Sequence, residues 1–315
     1  DLAAGLRARI ARRQGDPAAA LARAIDEVTL RVEGAEDLHP YPGLASFTEA
    51  DAEFFFGRES EVAQMWRKLT SRRLLAVIGP SGVGKSSFLR AGVIPAKPEG
   101  WAILRCTPGN AAVDALRRAV ICEIEDDAGA LRALAAGGDA AIAGASGASR
   151  RRHERALLIV DQFEELFTQN EVAEQARCVE LLGRIALDAD VRVLLAMRDD
   201  FLMRCHDHDA LAPVFSELTP LKPPVGGALR RAVVQPALRC GYRFEDEQLA
   251  DEILAEVEGE RGALPLLAFA VARLWEKRER EKKLLTRAAY EEIGGVAGAL
   301  AQLAVDAWID WLMAL

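Results

Sequence analysis

Short apolar runs alternate with longer amphipathic stretches between residues 73 and 219. The amphipathic stretches, such as 110–125 and 172–186, repeat apolar residues at the spacing of a helix. Alternating strands and helices are typical of an α/β fold, in which a parallel sheet carries helices on both faces. The apolar runs predict five strands, at Arg73–Ile78, Trp101–Cys106, Ala156–Asp161, Val191–Met197 and Val214–Thr219.

The pattern differs on either side of this region. Residues 1–38 predict a helical connector of two helices, and we expect a further domain before it, because the chain looks like the middle of a longer protein. Residues 39–222, which open with a linker rich in proline and phenylalanine, form the predicted core domain. After residue 222 the strands stop, and we expect a lid made only of helices over 223–283 and further helices over 284–315.

Two segments lack a clear apolar pattern. Residues 137–149 are rich in glycine, alanine and serine, a composition that predicts a mobile surface loop. Residues 276–283 are a run of charges, which we expect to form the solvated end of a lid helix over 262–283.

Composition excludes some classes of protein. The formal net charge of −8 does not favour binding of nucleic acid through a broad basic face. No apolar run approaches the ~18 residues that a membrane helix needs. The five cysteines are scattered and form no C-x-x-C pair, which indicates reduced thiols in a cytoplasmic protein.

A glycine-rich stretch follows the first predicted strand and opens a predicted helix. Its glycines let successive backbone N–H groups face a polyphosphate, and the helix N-terminus adds further donors. Lys85 is placed to reach the β- and γ-phosphates, and Ser86 to bind Mg²⁺. The stretch fits the P-loop pattern G-x-x-x-x-G-K-[ST] and consists of Gly79, Pro80, Ser81, Gly82, Val83, Gly84, Lys85, Ser86 and Ser87.

A second acidic site follows the third predicted strand. Four apolar residues end in Asp161, the Walker B pattern, and this carboxylate is a candidate Mg²⁺ ligand. Glu164 and Glu165 stand just beyond it, and one of them could polarise the attacking water. We favour Glu164 for this role. The alternative is that both glutamates merely begin a helix, where acidic residues are common.

Three further positions are candidates for contact with a nucleotide. Arg198 follows the fourth strand, where it could sense the γ-phosphate or form a structural ion pair with a neighbouring aspartate. The stretch Phe56-Gly57-Arg58 immediately precedes the P-loop unit, so it could lie beside the base or simply fix the linker. Pro265 stands near a helix start, where proline is tolerated for structural reasons alone. No N-K-x-D motif follows Asp161, which favours adenine over guanine.

Five ordered blocks of this chain resemble the STAND class of P-loop ATPases, in particular its bacterial novel STAND branch, a sister group of AAA+ proteins. The blocks span residues 40 to about 300 and are PYPGLASFTEADAEFFFGRE, VIGPSGVGKSSFLRAGVIP, LLIVDQFEELF, VLLAMRDDFL and GALPLLAFAVARLWE. The resemblance implies a sheet of order 5-1-4-3-2 and a winged-helix region that begins at Leu284. It also implies that Gly57 and Arg58 pack near adenine, that Arg198 is the sensor arginine, and that Pro265 contacts the base.

The resemblance implies a signalling switch as the function. We expect binding and slow hydrolysis of ATP with Mg²⁺, self-association in the ATP state, and control of a multidomain bacterial regulatory or defence protein. An N-terminal effector and a C-terminal sensor, often a WD-repeat propeller, would be the partner domains. Two alternatives are an AAA+-like machine acting on nucleic acid or protein, and a nucleotide-binding scaffold that does not hydrolyse. The acidic net charge counts against the machine, and the intact acidic residues count against the scaffold.

Overall fold

The computed structural model describes residues 38–298, except residues 125, 137, 147–152, 217 and 258–261. The predicted helical connector and most of the predicted final helix lie outside the described residues. None of the helices that the structure describes combines the length and the hydrophobicity needed to cross a bilayer.

Five strands form one parallel sheet in the order β2-β3-β4-β1-β5. This confirms the expected order 5-1-4-3-2, read from the opposite edge. Four strands lie within one residue of their predicted bounds. The fifth differs, because residues 209–216 form a 3-10 helix and the strand begins at Leu218, four residues later than predicted. The strands are β1 Leu74–Ile78, β2 Trp101–Cys106, β3 Arg155–Val160, β4 Arg192–Met197 and β5 Leu218–Pro220.

The three central strands are buried on both faces, as continuous apolar runs require. All five residues of β1 are buried, and β1 pairs in register with β4 from Leu74↔Val193 to Ile78↔Met197. Strand β3 pairs with the other side of β4. Because parallel strands end at the same edge, the loops after β1, β3 and β4 meet there.

Helices cover both faces of the sheet and continue beyond it. In chain order they are α1 Glu59–Ser71, α2 Lys85–Ser87, α3 Ala112–Ile124, α4 Ala128–Ala136, α5 Asp139–Ser146, α6 Glu165–Gln169, α7 Val172–Leu187, α8 Leu202–His206, α9 Gly226–Arg239, α10 Glu247–Ala255, α11 Ala263–Glu276 and α12 Arg287–Glu292. Helix α2 runs directly into a π-helix, Phe88–Val93.

The predicted surface loop over 137–149 is wrong for most of its length. Helix α5 occupies Asp139–Ser146, and its Ile142 is fully buried in the core below the sheet. The Ser146 hydroxyl donates to the carbonyl of Ile142, within the helix. Alanine has the highest helix propensity of any residue, and this preference outweighed the loop-like composition.

The lid is not made only of helices, which corrects a second expectation. Strands β6 (Arg243–Phe244) and β7 (Leu284–Leu285) form a small parallel sheet beside helices α9–α12. Helix α11 ends at Glu276 rather than residue 283, because the charge run offers no apolar stripe to extend it. A turn with Lys283 at φ 55 then brings Leu285 into the core. No winged helix is recognisable within the described residues.

The linker before α1 is fixed to both parts of the molecule. The Tyr41 hydroxyl donates to the carbonyl of Val233 at 2.5 Å and accepts from the Ala237 N–H at 3.0 Å, both on α9. The Trp275 indole donates to the carbonyl of Leu38. Further along, the backbone N–H of Phe47 donates to Ser87 Oγ, at the end of the P-loop. The linker therefore passes from the lid to the core across the sheet edge.

Candidate nucleotide-binding site

The glycine-rich stretch forms a tight loop between β1 and α2. Gly82 and Gly84 have φ of 77° and 88°, in the left-handed region that side chains disfavour. The N–H of Phe88 donates to the carbonyl of Gly84 at 2.8 Å, which starts the helix directly behind the loop. Ser81 and Gly82 are exposed toward the cavity described below, so the loop faces open space.

Lys85 lies within this loop, as the sequence predicts. Its ammonium group donates to the carbonyls of Gly79 at 2.9 Å and Pro80 at 3.0 Å. Burial lowers the pKa of Lys85, and the carboxylate of Glu164, followed by other acidic groups, raises it in part. These bonds hold a cation at the mouth of the loop, where an anionic phosphate would compete for it.

Ser86 and Asp161 come together at the carboxyl ends of β1 and β3. Ser86 Oγ donates to Asp161 Oδ1 at 3.1 Å, and the backbone N–H of Gln162 donates to the same oxygen at 3.0 Å. The other oxygen, Oδ2, is buried and accepts no hydrogen bond from any described residue. A hydroxyl beside an unsatisfied buried carboxylate oxygen fits the oxygen ligands that Mg²⁺ prefers. These two side chains would hold the metal, with phosphate and water completing its shell.

The structure places Glu164 and Glu165, which are adjacent in the sequence, in different environments. Glu164 lines the cavity, and its Oε2 accepts from the backbone N–H of Arg198 at 3.3 Å. Glu165 instead accepts from the N–H of Gly109 at 3.0 Å, in the loop after β2. Glu165 therefore braces two loops, whereas Glu164 is placed to contact water near a bound phosphate.

Arg198 lies at the sheet edge but forms the structural ion pair that was its alternative role. Its guanidinium binds Asp200 through two nitrogens, at 3.0 and 2.6 Å, and lies over the ring of Phe201. The hydrogen bond to Asp200 raises the pKa of Arg198. The side chain is exposed and does not line the cavity, so its role as a sensor of the γ-phosphate stays a prediction.

Arg58 is buried, and its guanidinium is held by backbone carbonyls. Its guanidinium donates to the carbonyl of Lys222 at 2.6 Å and to that of Val83 at 2.9 Å. Burial lowers the pKa of this group, because desolvation disfavours the cation. Gly57 has φ 90° and packs against the carbonyl oxygen of Ala228. The Gly57–Arg58 pair thus ties the P-loop to the segment between core and lid, and contact with adenine stays a prediction.

Pro265 brings the lid against the P-loop. Its Cγ lies 2.8 Å from the point where a Cβ on Gly82 would sit, so only glycine fits opposite it. Both residues line the same cavity. The structure therefore places Pro265 beside the phosphate loop, and the contact with the base that the resemblance implies stays a prediction.

A cavity of about 330 Å³ connects these residues. Its lining has a polar part, here called the polar end, which comes from the P-loop, Asp161 and Glu164. The rest, here called the apolar end, comes from the linker and the lid: Tyr41, Leu44, Phe47, Phe54, Phe55, Phe56, Leu229, Val233, Leu267 and Val271. Apart from Phe56, the sequence analysis assigned none of these residues to a site. The signal for the phenylalanines was the density of aromatic residues just before α1.

A parallel sheet with a glycine-rich loop after β1 and an acidic residue after β3 defines a P-loop NTPase. The model of the family novel STAND NTPase 1 matches residues 40–312, and the chain belongs to this family. That match confirms the resemblance found in the sequence. No protein with a curated description matches the chain.

Several solved structures are similar in fold to this chain. The Walker-type ATPase paby2304 of Pyrococcus abyssi has a TM-score of 0.58 and 14% identity, over 85% of this chain and 77% of that one. The ORC2 protein of Aeropyrum pernix, solved in ADPNP–ADP complexes, has a TM-score of 0.50 and 13% identity, over 78% and 67%. At such identities the likeness supports the fold alone.

Gly57→Ala is expected to destabilise the protein by more than about 2 kcal/mol. Alanine at positive φ costs roughly 1 kcal/mol, and its Cβ would lie 2.3 Å from the Ala228 carbonyl oxygen, a contact that the backbone must shift to relieve. Gly109→Ala is the control, since Gly109 has φ 58° but nothing within 4 Å of the added Cβ. Urea unfolding measures both variants, and equal losses of stability would contradict the clash.

Proposed function

We propose that this chain binds ATP with Mg²⁺, hydrolyses it slowly, and serves as the nucleotide-controlled switch of a multidomain bacterial regulatory or defence protein. The observation that carries the proposal is the cavity, whose lining combines the P-loop and Asp161 with apolar side chains of the linker and the lid. An anionic polyphosphate attached to a flat, largely apolar base matches both ends.

The residues at the polar end supply the chemistry of hydrolysis. The P-loop N–H groups and Lys85 would bind and orient the phosphates. Ser86 and Asp161 would hold Mg²⁺, which neutralises phosphate charge when bound. Glu164 would orient a water molecule and accept its proton, because its carboxylate lies in the cavity near Lys85.

The wall of the cavity supports the switch. Linker, core and lid each contribute part of it, so a nucleotide seated there contacts all three. ATP and ADP differ by the γ-phosphate, which would lie near Glu164, with Arg198 as its proposed sensor. Such a difference can stabilise different arrangements of core and lid. We further propose an N-terminal effector and a C-terminal sensor as partner domains. The five cysteines are free, which fits the proposed cytoplasmic location.

Lys85→Ala is expected to weaken ATP binding about a hundredfold, since charged hydrogen bonds to phosphate contribute up to about 3 kcal/mol. Isothermal titration calorimetry with ATP and Mg²⁺ measures the affinity. Lys97→Ala removes an exposed lysine outside the cavity and serves as the control. Unchanged affinity in Lys85→Ala would refute the site.

Glu164→Gln is expected to lower kcat about a hundredfold while ATP affinity stays within threefold of wild type. Glu165→Gln is the matched control, because that side chain bonds to the Gly109 N–H, and its kcat should change less than threefold. Phosphate release under single-turnover conditions measures both variants. The reverse order of effects would assign the catalytic role to Glu165. Turnover of many ATP per second in the wild-type chain would instead favour the AAA+-like machine.

Self-association is expected in the ATP state only. Light scattering of the full chain with ADP or with a non-hydrolysable ATP analogue measures its mass in the two states. An unchanged mass would count against control of oligomerisation by nucleotide, and Lys85→Ala should show the same mass with either nucleotide.

A further inference from the structure

The two oxygens of the buried Asp161 carboxylate differ in their hydrogen bonding. Oδ1 accepts from Ser86 and from the backbone N–H of Gln162, whereas Oδ2 accepts no hydrogen bond from the described residues. Asp161 is only 2% exposed. A buried carboxylate is costly unless a cation or hydrogen bonds offset its charge, so the surroundings of Oδ2 decide how stable the ionised form is.

A cation does approach Oδ2, from the helix that follows the P-loop. Arg90 Nη2 lies 3.8 Å from it, within ion-pair range but beyond a hydrogen bond. Arg90 follows Ser86 by four residues, which in a helix places the two side chains on the same face. The helix here is the π-helix Phe88–Val93, a rare form that is frequent at functional sites. This is the one ion pair that Arg90 makes within the part of the chain described.

The surroundings of Arg90 do not fit two simpler roles. It is not among the residues that line the cavity, so it is not placed to bind phosphate directly. It also differs from Arg58, whose guanidinium binds two backbone carbonyls. The Nε of Arg90 is buried without any hydrogen bond among the described residues. Arg90 therefore interacts with the Asp161 carboxylate through its charge and not through a hydrogen bond.

We propose that Arg90 is a positioning residue that supplies the counter-charge of Asp161 whenever the site lacks Mg²⁺. This inference rests on the proposed function. Without the arginine, the carboxylate would repel the phosphates of a metal-free nucleotide, because like charges in a poorly solvated site interact strongly. With Mg²⁺ present, the metal neutralises the same carboxylate and Arg90 matters less. Arg90 would thus let the switch retain ADP in the absence of the metal.

The test compares ADP affinity of the full chain in EDTA and in millimolar Mg²⁺, by calorimetry. Arg90→Met should weaken ADP binding roughly tenfold in EDTA but less than about threefold with Mg²⁺. Arg90→Lys keeps the charge and should stay within about threefold of wild type in EDTA. Arg105→Met is the control. Its ion pair with Glu49, at 3.7 Å, and its side-chain exposure resemble those of Arg90, but Glu49, unlike Asp161, does not line the cavity.

A double-mutant cycle tests the pairing itself. In an Asp161→Asn background the carboxylate charge is gone, so adding Arg90→Met should change the ADP affinity in EDTA by less than about twofold. Equal weakening in EDTA and in Mg²⁺, or a tenfold effect that persists in the Asp161→Asn background, would overturn the inference but leave the proposed function standing. If the wild-type chain bound no ADP under either condition, both would fail.

Discussion

The parallel pairing of β4 with β1 on one side and β3 on the other is the constraint on which the site depends. Because the three strands run in the same direction, the P-loop, Asp161 and Arg198 all lie at one edge of the sheet. The bond between Ser86 Oγ and Asp161 Oδ1 joins residues 75 positions apart. A change of direction in β3 would move Asp161 to the opposite edge and leave the loop without its acidic partner.

Part of the cavity wall is formed by the linker and the lid, which lie outside the sheet. Tyr41 and Trp275 fix the start of the linker to the lid, while Phe47 and Arg58 bind backbone or side-chain atoms of the P-loop segment. Pro265 of the lid packs against Gly82 of the P-loop. The apolar end of the site therefore exists only while linker, core and lid stay together. This dependence is the physical basis for coupling a ligand to their arrangement.

Charges at the polar end are held in pairs or by backbone groups. Lys85 binds the carbonyls of its own loop, Arg198 binds Asp200, and Glu165 binds a backbone N–H. Glu164 and Asp161 are the acidic groups that still face the cavity. From sequence, the choice of Glu164 over the adjacent Glu165 was a hypothesis, since neighbouring residues on a turn point in directions that only the folded loop defines.

The sequence by itself determined the α/β class, four of the five strands within one residue, the P-loop and the acidic residue after β3, since these depend on local pattern and fixed spacing. Tertiary structure alone decided the rest. A turn after Glu276 paired β7 with β6. Helix α5 is a different case, because the helix propensity of its alanines is a local property that our prediction ranked below the loop-like composition. The apolar end of the cavity and the partner of Arg90 were also beyond prediction, because each arises from contacts between segments far apart in the chain.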